Sequence, residues 1–107
     1  MSRQRSRYLA VLIESEEPLK GRAFIEAIWK SLLRLFGVYG ASKSKVQVIE
    51  YDDEKALAVV RCSLSAVRIV RCSIATVTKV NGRPVAFHVI GVSGTLKALR
   101  RKFLSQH

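Results

Sequence analysis

Apolar side chains at Ile25, Ile28, Trp29, Leu32, Leu35 and Phe36 stand at i, i+3, i+4, i+7, i+10 and i+11. Arg22, Glu26, Lys30 and Arg34 fall on the opposite side. That spacing is the 3.6-residue period of an amphipathic helix. It predicts a helix from about Leu19 to Phe36, stopped by Gly37 or Gly40. Phe24 and Leu33 widen the apolar face beyond a single stripe. Pro18 suits the first turn, and the acids just before it suit the positive end of the helix dipole. A face this wide must be covered, either by a core layer or, along one edge (Trp29, Leu33, Phe36), by another subunit.

The flanking segments supply the layer. Tyr8 to Glu14 (YLAVLIE) is a short apolar run bounded by polar residues and reads as a buried strand. Lys45 to Tyr51 (KVQVIEY) and Ala56 to Arg61 (ALAVVR) read as strands of a hairpin turning at Asp52-Asp53-Glu54-Lys55. Leu64 to Val77 is rich in β-branched residues, but Val67, Val70, Ile74 and Val77 keep helical spacing, so a helix is predicted, capped by Ser63 or Ser65. Asn81-Gly82-Arg83-Pro84 is a turn, Val85 to Ile90 a strand, and Leu96 to Leu104 (LKALRRKFL) a final helix. The order βαββαβ predicts an α+β domain of the ferredoxin-like, RNA-recognition-like type. It would have a four-stranded antiparallel sheet, two helices on one face, and an added basic C-terminal helix. Residues 1–7, with Arg3, Arg5 and Arg7 among small polar neighbours, read as a flexible basic arm, and residues 8–107 as one RNA-binding domain.

Charge narrows the function. The 107 residues carry 19 Lys and Arg against 8 Asp and Glu, a net +11. The last acid is Glu54, so the remaining half holds ten cations and no carboxylate. Such a surface repels itself unless it meets a polyanion, and nucleic acid leads over an anionic membrane. The longest apolar run near the N-terminus, Leu9 to Ile13, is too short for a signal-peptide core, and no stretch approaches a membrane span. A cytoplasmic location follows as the expectation. Cys62 and Cys72 show no metal-site spacing with His88 and His107, and they read as small buried thiols, with a disulfide open mainly to a thermophilic source. The acids at 52–54 are explained by turn chemistry without a metal.

Three basic elements stand out. In the last helix Lys97, Arg100 and Arg101, with Lys102 beside them, make a cationic stripe opposite Leu96, Leu99 and Phe103. The preceding Gly91-Val-Ser-Gly-Thr95 offers Ser93 and Thr95 as caps or phosphate donors and Gly94 as a point of close approach. It lacks the spacing of a Walker loop. Lys43 and Lys45 follow the Gly40-Ala-Ser42 breaker, and Arg3, Arg5 and Arg7 form the arm. If roughly 5 phosphates are neutralised, log affinity falls against log salt with a slope of about −3.5 to −4.5. The strand Ala56 to Arg61 has no aromatic for base stacking, so recognition of a folded RNA through backbone and shape fits best. A general architectural nucleic-acid binder is the alternative. An acylphosphatase-like enzyme fits poorly, because the loop after the first strand is Glu14-Ser-Glu-Glu17, which repels anions.

Glu26-Ala-Ile-Trp29, the Asn81-Gly82 turn, Gly91-Val-Ser-Gly-Thr95 and the LKALRRKFL ending resemble the archaeal ribonuclease P protein component 2 family, the Pop-five relatives. The resemblance runs from about Tyr8 to Leu104 and implies a ferredoxin-like fold. It implies a subunit of the ribonucleoprotein that removes 5′ leaders from precursor tRNA, with the RNA performing Mg²⁺-dependent hydrolysis. The protein would bind no cofactor and supply no catalytic residue. It also implies a barrel-shaped ribonuclease P partner subunit, with two such pairs joining through this chain. The short arginine-rich arm departs from that pattern.

Overall fold

The computed structural model describes residues 5–104. Its elements are β1 (Ser6–Ser15), α1 (Gly21–Ser44), β2 (Gln47–Asp52), β3 (Leu57–Ser63), α2 (Val67–Ala75), β4 (Lys79–Val80), β5 (Arg83–Ser93) and α3 (Leu96–Leu99). A 3-10 turn at Leu64–Ala66 leads into α2, and a π-helical turn at Arg100–Leu104 continues α3. The sheet is antiparallel with order β2-β3-β1-β5-β4, so the α+β class holds. Where four strands were expected there are five. The Asn81-Gly82 turn, with both φ values positive, closes a tight hairpin that adds the two-residue β4 at the edge.

β1 lies between β3 and β5, and this explains its uninterrupted apolar run. Leu9, Val11 and Ile13 pack under α1 and α2 with Phe24, Ile28, Leu32, Val70 and Ile74. Ala10 faces the other way, into a smaller cluster with Val59, Leu99, Tyr8, Ile90 and Leu96. A strand buried on both faces reads as continuous hydrophobics. Helices α1 and α2 thus cover one face, and α3 lies on the opposite one.

Helix α1 differs from expectation in two ways. Its buried stripe is Phe24, Ile28, Ser31 and Leu32, while Trp29, Leu35 and Phe36 stay exposed. The helix is also interrupted without ending. Gly37 has φ 74° and ψ 179°, a conformation essentially reserved for glycine, and helical residues resume to Ser44. The expected breaker at Gly40–Ser42 is therefore helical. The break folds the last two turns back, so that Ala41 and Ser44 are buried. Between α1 and α2, Ser31 Oγ donates to the Ser73 carbonyl (2.9 Å) and lies 2.8 Å from Thr76 Oγ1. Ser63 does not cap α2; its hydroxyl donates to the Lys43 carbonyl (3.1 Å). Strand β5 runs through Gly91 to Ser93, which pair with Ala10 and Tyr8, so the expected glycine loop shrinks to Gly94-Thr95.

Candidate nucleic-acid interface

The register sorts charge along the strands. Tyr8 pairs with Arg61 on one side and Ser93 on the other, while Leu12 pairs with Leu57 and Ser15 with Val85. The start of β1, the ends of β3 and β5, and the start of β2 therefore share one end of the sheet. Glu14, Glu16, Glu17 and the Asp52–Glu54 turn lie at the other end. The first end gathers Arg5, Arg7, Lys43, Lys45 and Arg61, together with the entry to α3.

At that entry the Thr95 Oγ1 accepts from Ala98 N–H (3.1 Å), and Ser93 Oγ accepts from Thr95 N–H (3.3 Å). Both hydroxyl oxygens accept from the turn's backbone, and each O–H keeps its donor. A methyl group at Gly94 would come 3.3 Å from Arg7 Nη1, so the glycine makes room for a cation against the loop. Arg7 Nη1 itself donates to the Ser6 carbonyl (2.9 Å). Ser6 and Arg7 thus belong to β1 and not to an arm, while Arg3 lies outside the described residues.

Helix α3 docks through Leu99, which is fully buried over Ala10 and Val59, with Leu96 beside it. This leaves Lys97, Arg100, Arg101 and Lys102 exposed. Arg100, however, is ion-paired to Glu50 of β2. One of the four expected phosphate ligands is thus held by a carboxylate. Lys97 and Lys102 have no ion-pair partner among the described residues. By covering Tyr8 and the centre of the sheet, α3 also occupies the face on which a bare sheet would stack bases.

On the helix-covered side of the same end, residues that include Arg5, Trp29 and Lys45, with the β3 strand at Arg61, border a cleft of about 580 Å³, while the Arg61 side chain itself turns to the α3 face. Arg61 was not anticipated. Its signal was being the one charged residue of an otherwise apolar strand. Its Nε donates to Ser6 Oγ (3.1 Å), and its guanidinium stands 5.9 Å from the Tyr8 ring centre. Lys43 turns away, its Nζ lying 5.0 Å over the Tyr39 ring. Of the expected partner-facing residues, Trp29 borders the cleft, Leu33 packs on the core, and Phe36 stands exposed beside Val38 and Tyr39.

Burial pushes the Cys62 thiol up to about 11, so it stays protonated near neutrality. Cys72 is exposed, and the two are unpaired. His88 Nε2 lies 3.1 Å from Glu14 Oε1 at the acidic end. Glu17 pairs with Arg83. Among the described residues no group of three or more His, Cys, Asp or Glu stands together as metal ligands, and no helix is long and apolar enough to cross a membrane.

The model of the Rpp14/Pop5 family matches residues 7–104. The chain belongs to that family. Curated relatives agree. It is 38% identical to a protein named Ribonuclease P protein component 2 from Pyrococcus furiosus over 97% of this chain and 87% of that one. It is 34% identical to the protein of the same name from Methanosarcina mazei over 95% and 86%. Among solved structures, a chain of yeast ribonuclease MRP superposes with a TM-score of 0.71 at 16% identity, covering 99% of this chain and 90% of that chain. That last likeness is one of fold. Across the family match lie both the α3 entry and the Trp29 cleft, apart from Arg5.

Proposed function

We propose that the chain is a protein subunit of ribonuclease P, binding and activating the RNA that cleaves the 5′ leader from precursor tRNA. The carrying observation is the convergence of cations from β1, β3, the end of α1 and the α3 entry on one end of the sheet, with Glu14, Glu16, Glu17 and the Asp52–Glu54 turn at the other. Such a pole neutralises closely spaced phosphates without reading bases. Hydrolysis belongs to the RNA and its Mg²⁺; this chain lets a strongly charged RNA fold compactly. The order of the four long strands fits the ferredoxin-like arrangement, with β4 appended. The exposed apolar residues at the Gly37 break, Leu35, Phe36, Val38 and Tyr39, suit the barrel-shaped partner subunit or a second copy within a heterotetramer.

Reconstitution tests this reading. Precursor-tRNA cleavage by catalytic RNA, Mg²⁺ and the barrel partner should rise on adding the chain, and should rise less with the Lys97→Ala/Lys102→Ala variant. Excess duplex DNA should not displace the chain. Cleavage indifferent to the chain, or displacement by DNA, overturns the proposal; the second outcome favours a general architectural binder.

A further inference from the structure

We infer that Arg61 is a phosphate ligand, and that with Lys97 of α3 and Arg100 just beyond it Arg61 forms a two-walled channel on the α3 face that seats the sugar–phosphate backbone of an RNA strand. This deepens the ribonuclease P reading and rests on it for the choice of RNA as ligand.

The register sets the first wall. Directly opposed residues of an antiparallel pair share a face, and Arg61 stands opposite Tyr8 of β1 and Gln47 of β2. Tyr8 packs in the cluster with Leu96 and Leu99, so Arg61 and Gln47 lie on the α3 face as well. The exposed Arg61 side chain is restrained there twice, by the bond from Nε to Ser6 Oγ and by the Tyr8 ring. Among the described residues neither of its Nη groups has a partner. A guanidinium fixed in this way presents a ready fork to a phosphate and loses little freedom on binding. Arg100 supplies the facing wall. It pairs with Glu50, which stands opposite Val59, two residues from Arg61 on the same strand and the same face. Lys97 is three residues before Arg100, on the same flank of the helix, and is exposed. Glu50 lies between the walls and holds Arg100 until a phosphate competes for it. An apolar protein partner would desolvate Arg61 with nothing to pair it. A lone phosphate needs one arginine fork, whereas a phosphodiester chain supplies a charge to each wall. The exposed Gln47 adds neutral donors beside Arg61. The Tyr8 ring is taken up by Arg61 and the α3 cluster, so the channel positions RNA without stacking a base.

Anisotropy titrations of labelled ribonuclease P RNA with the full chain, over a salt series, test the channel. Arg61→Ala should make the slope of log affinity against log salt shallower by about 0.7–0.9, a roughly 5- to 8-fold loss of affinity at about 0.1 M salt. Arg61→Lys should keep the slope and lose part of the affinity, because an ammonium is a point charge without the planar fork. Arg68→Ala is the control. Arg68 is an exposed arginine of α2, on the opposite side of the sheet, and its removal should move neither quantity. Circular dichroism establishes that each variant is folded. A slope in folded Arg61→Ala equal to that of the unaltered chain overturns the inference. So does an equal change in Arg68→Ala, which would make the effect one of diffuse net charge. Polyglutamate that displaces the labelled RNA as well as unlabelled RNA does, at equal charge, overturns RNA as the occupant. If Arg61→Ala leaves the slope unchanged while precursor-tRNA cleavage still depends on the chain, the channel alone falls. If Arg61→Ala makes the slope shallower and cleavage ignores the chain, the ribonuclease P assignment falls instead.

Discussion

Glu50→Gln should make the chain a better RNA binder. Arg100, just beyond α3, is paired with the Glu50 carboxylate, which stands on the edge strand β2. The two side chains remain 53% and 40% exposed, so their pairing contributes about 0–1 kcal/mol to stability and the variant should fold. Releasing Arg100 adds one cation to the phosphate contact. Each neutralised phosphate steepens the slope of log affinity against log salt by about 0.7–0.9, which at about 0.1 M salt corresponds to roughly 5- to 8-fold tighter binding. Anisotropy titrations of labelled ribonuclease P RNA over a salt series measure slope and affinity together. Arg100→Ala alone should then cost less than Lys97→Ala, and should cost its full share in the Glu50→Gln background, which makes the coupling visible as a double-mutant cycle. Parallel salt lines with unchanged affinity would refute the reasoning, because either Glu50 does not restrain Arg100 or α3 does not meet phosphates.

Three further outcomes follow from the packing. Gly37→Ala forces a side chain into a backbone region it avoids and should cost about 1–3 kcal/mol, read as a lowered midpoint in urea. Leu99→Ala removes the fully buried anchor of α3 and should cost about 2–5 kcal/mol while weakening RNA binding, because Lys97 and Lys102 lose their fixed position. Alkaline pH should destabilise the fold. Burial raises the Cys62 thiol from 9.0 to about 11, and burial followed by the charge of Asp53 raises the Tyr51 phenol, whose hydroxyl donates to the Leu19 carbonyl. A raised pKa in the folded state means the folded chain holds its proton more tightly. The stabilisation is complete below about pH 9 and is lost as pH climbs toward about 11. Thermal melts should fall by several degrees across that window, and less so in Cys62→Ala relative to its own neutral-pH value.

Periodicity made the elements legible because burial imposes it. Val70, Ile74 and Val77 marked a helix inside a β-branched stretch, and Leu9 to Ile13 marked a strand with two covered faces. The register of α1 was harder to see. Phe24 and Ile25 both offer an apolar face, and only the volume beneath Phe87 and Tyr51, which the Phe24 ring fills, decides between them. Gly37 and Gly40 looked equivalent as stops. A positive φ at one and ordinary helix at the other depends on where the chain must turn back to bury Ala41. The basic tail was legible as composition, and its pairing with Glu50 was not, since that contact joins residues fifty apart across a sheet face.

The separation of charge itself follows from topology. In an antiparallel sheet every turn-and-return exchanges ends, so residues far apart in sequence meet if the strands between them are odd or even in the right count. Arg5 and Arg7 enter β1, Arg61 leaves β3, and Gly94 leaves β5, which puts all of them at one end. Glu14 to Glu17 leave β1, and Asp52 to Glu54 join β2 to β3, which puts them at the other. Strand direction thus places the turn acids of the first half, Glu14 to Glu17 and Asp52 to Glu54, away from the cationic pole. The exception, Glu50, sits on the α3 face where Arg100 can reach it. By holding Arg100, it restrains how many phosphates the pole can engage at once.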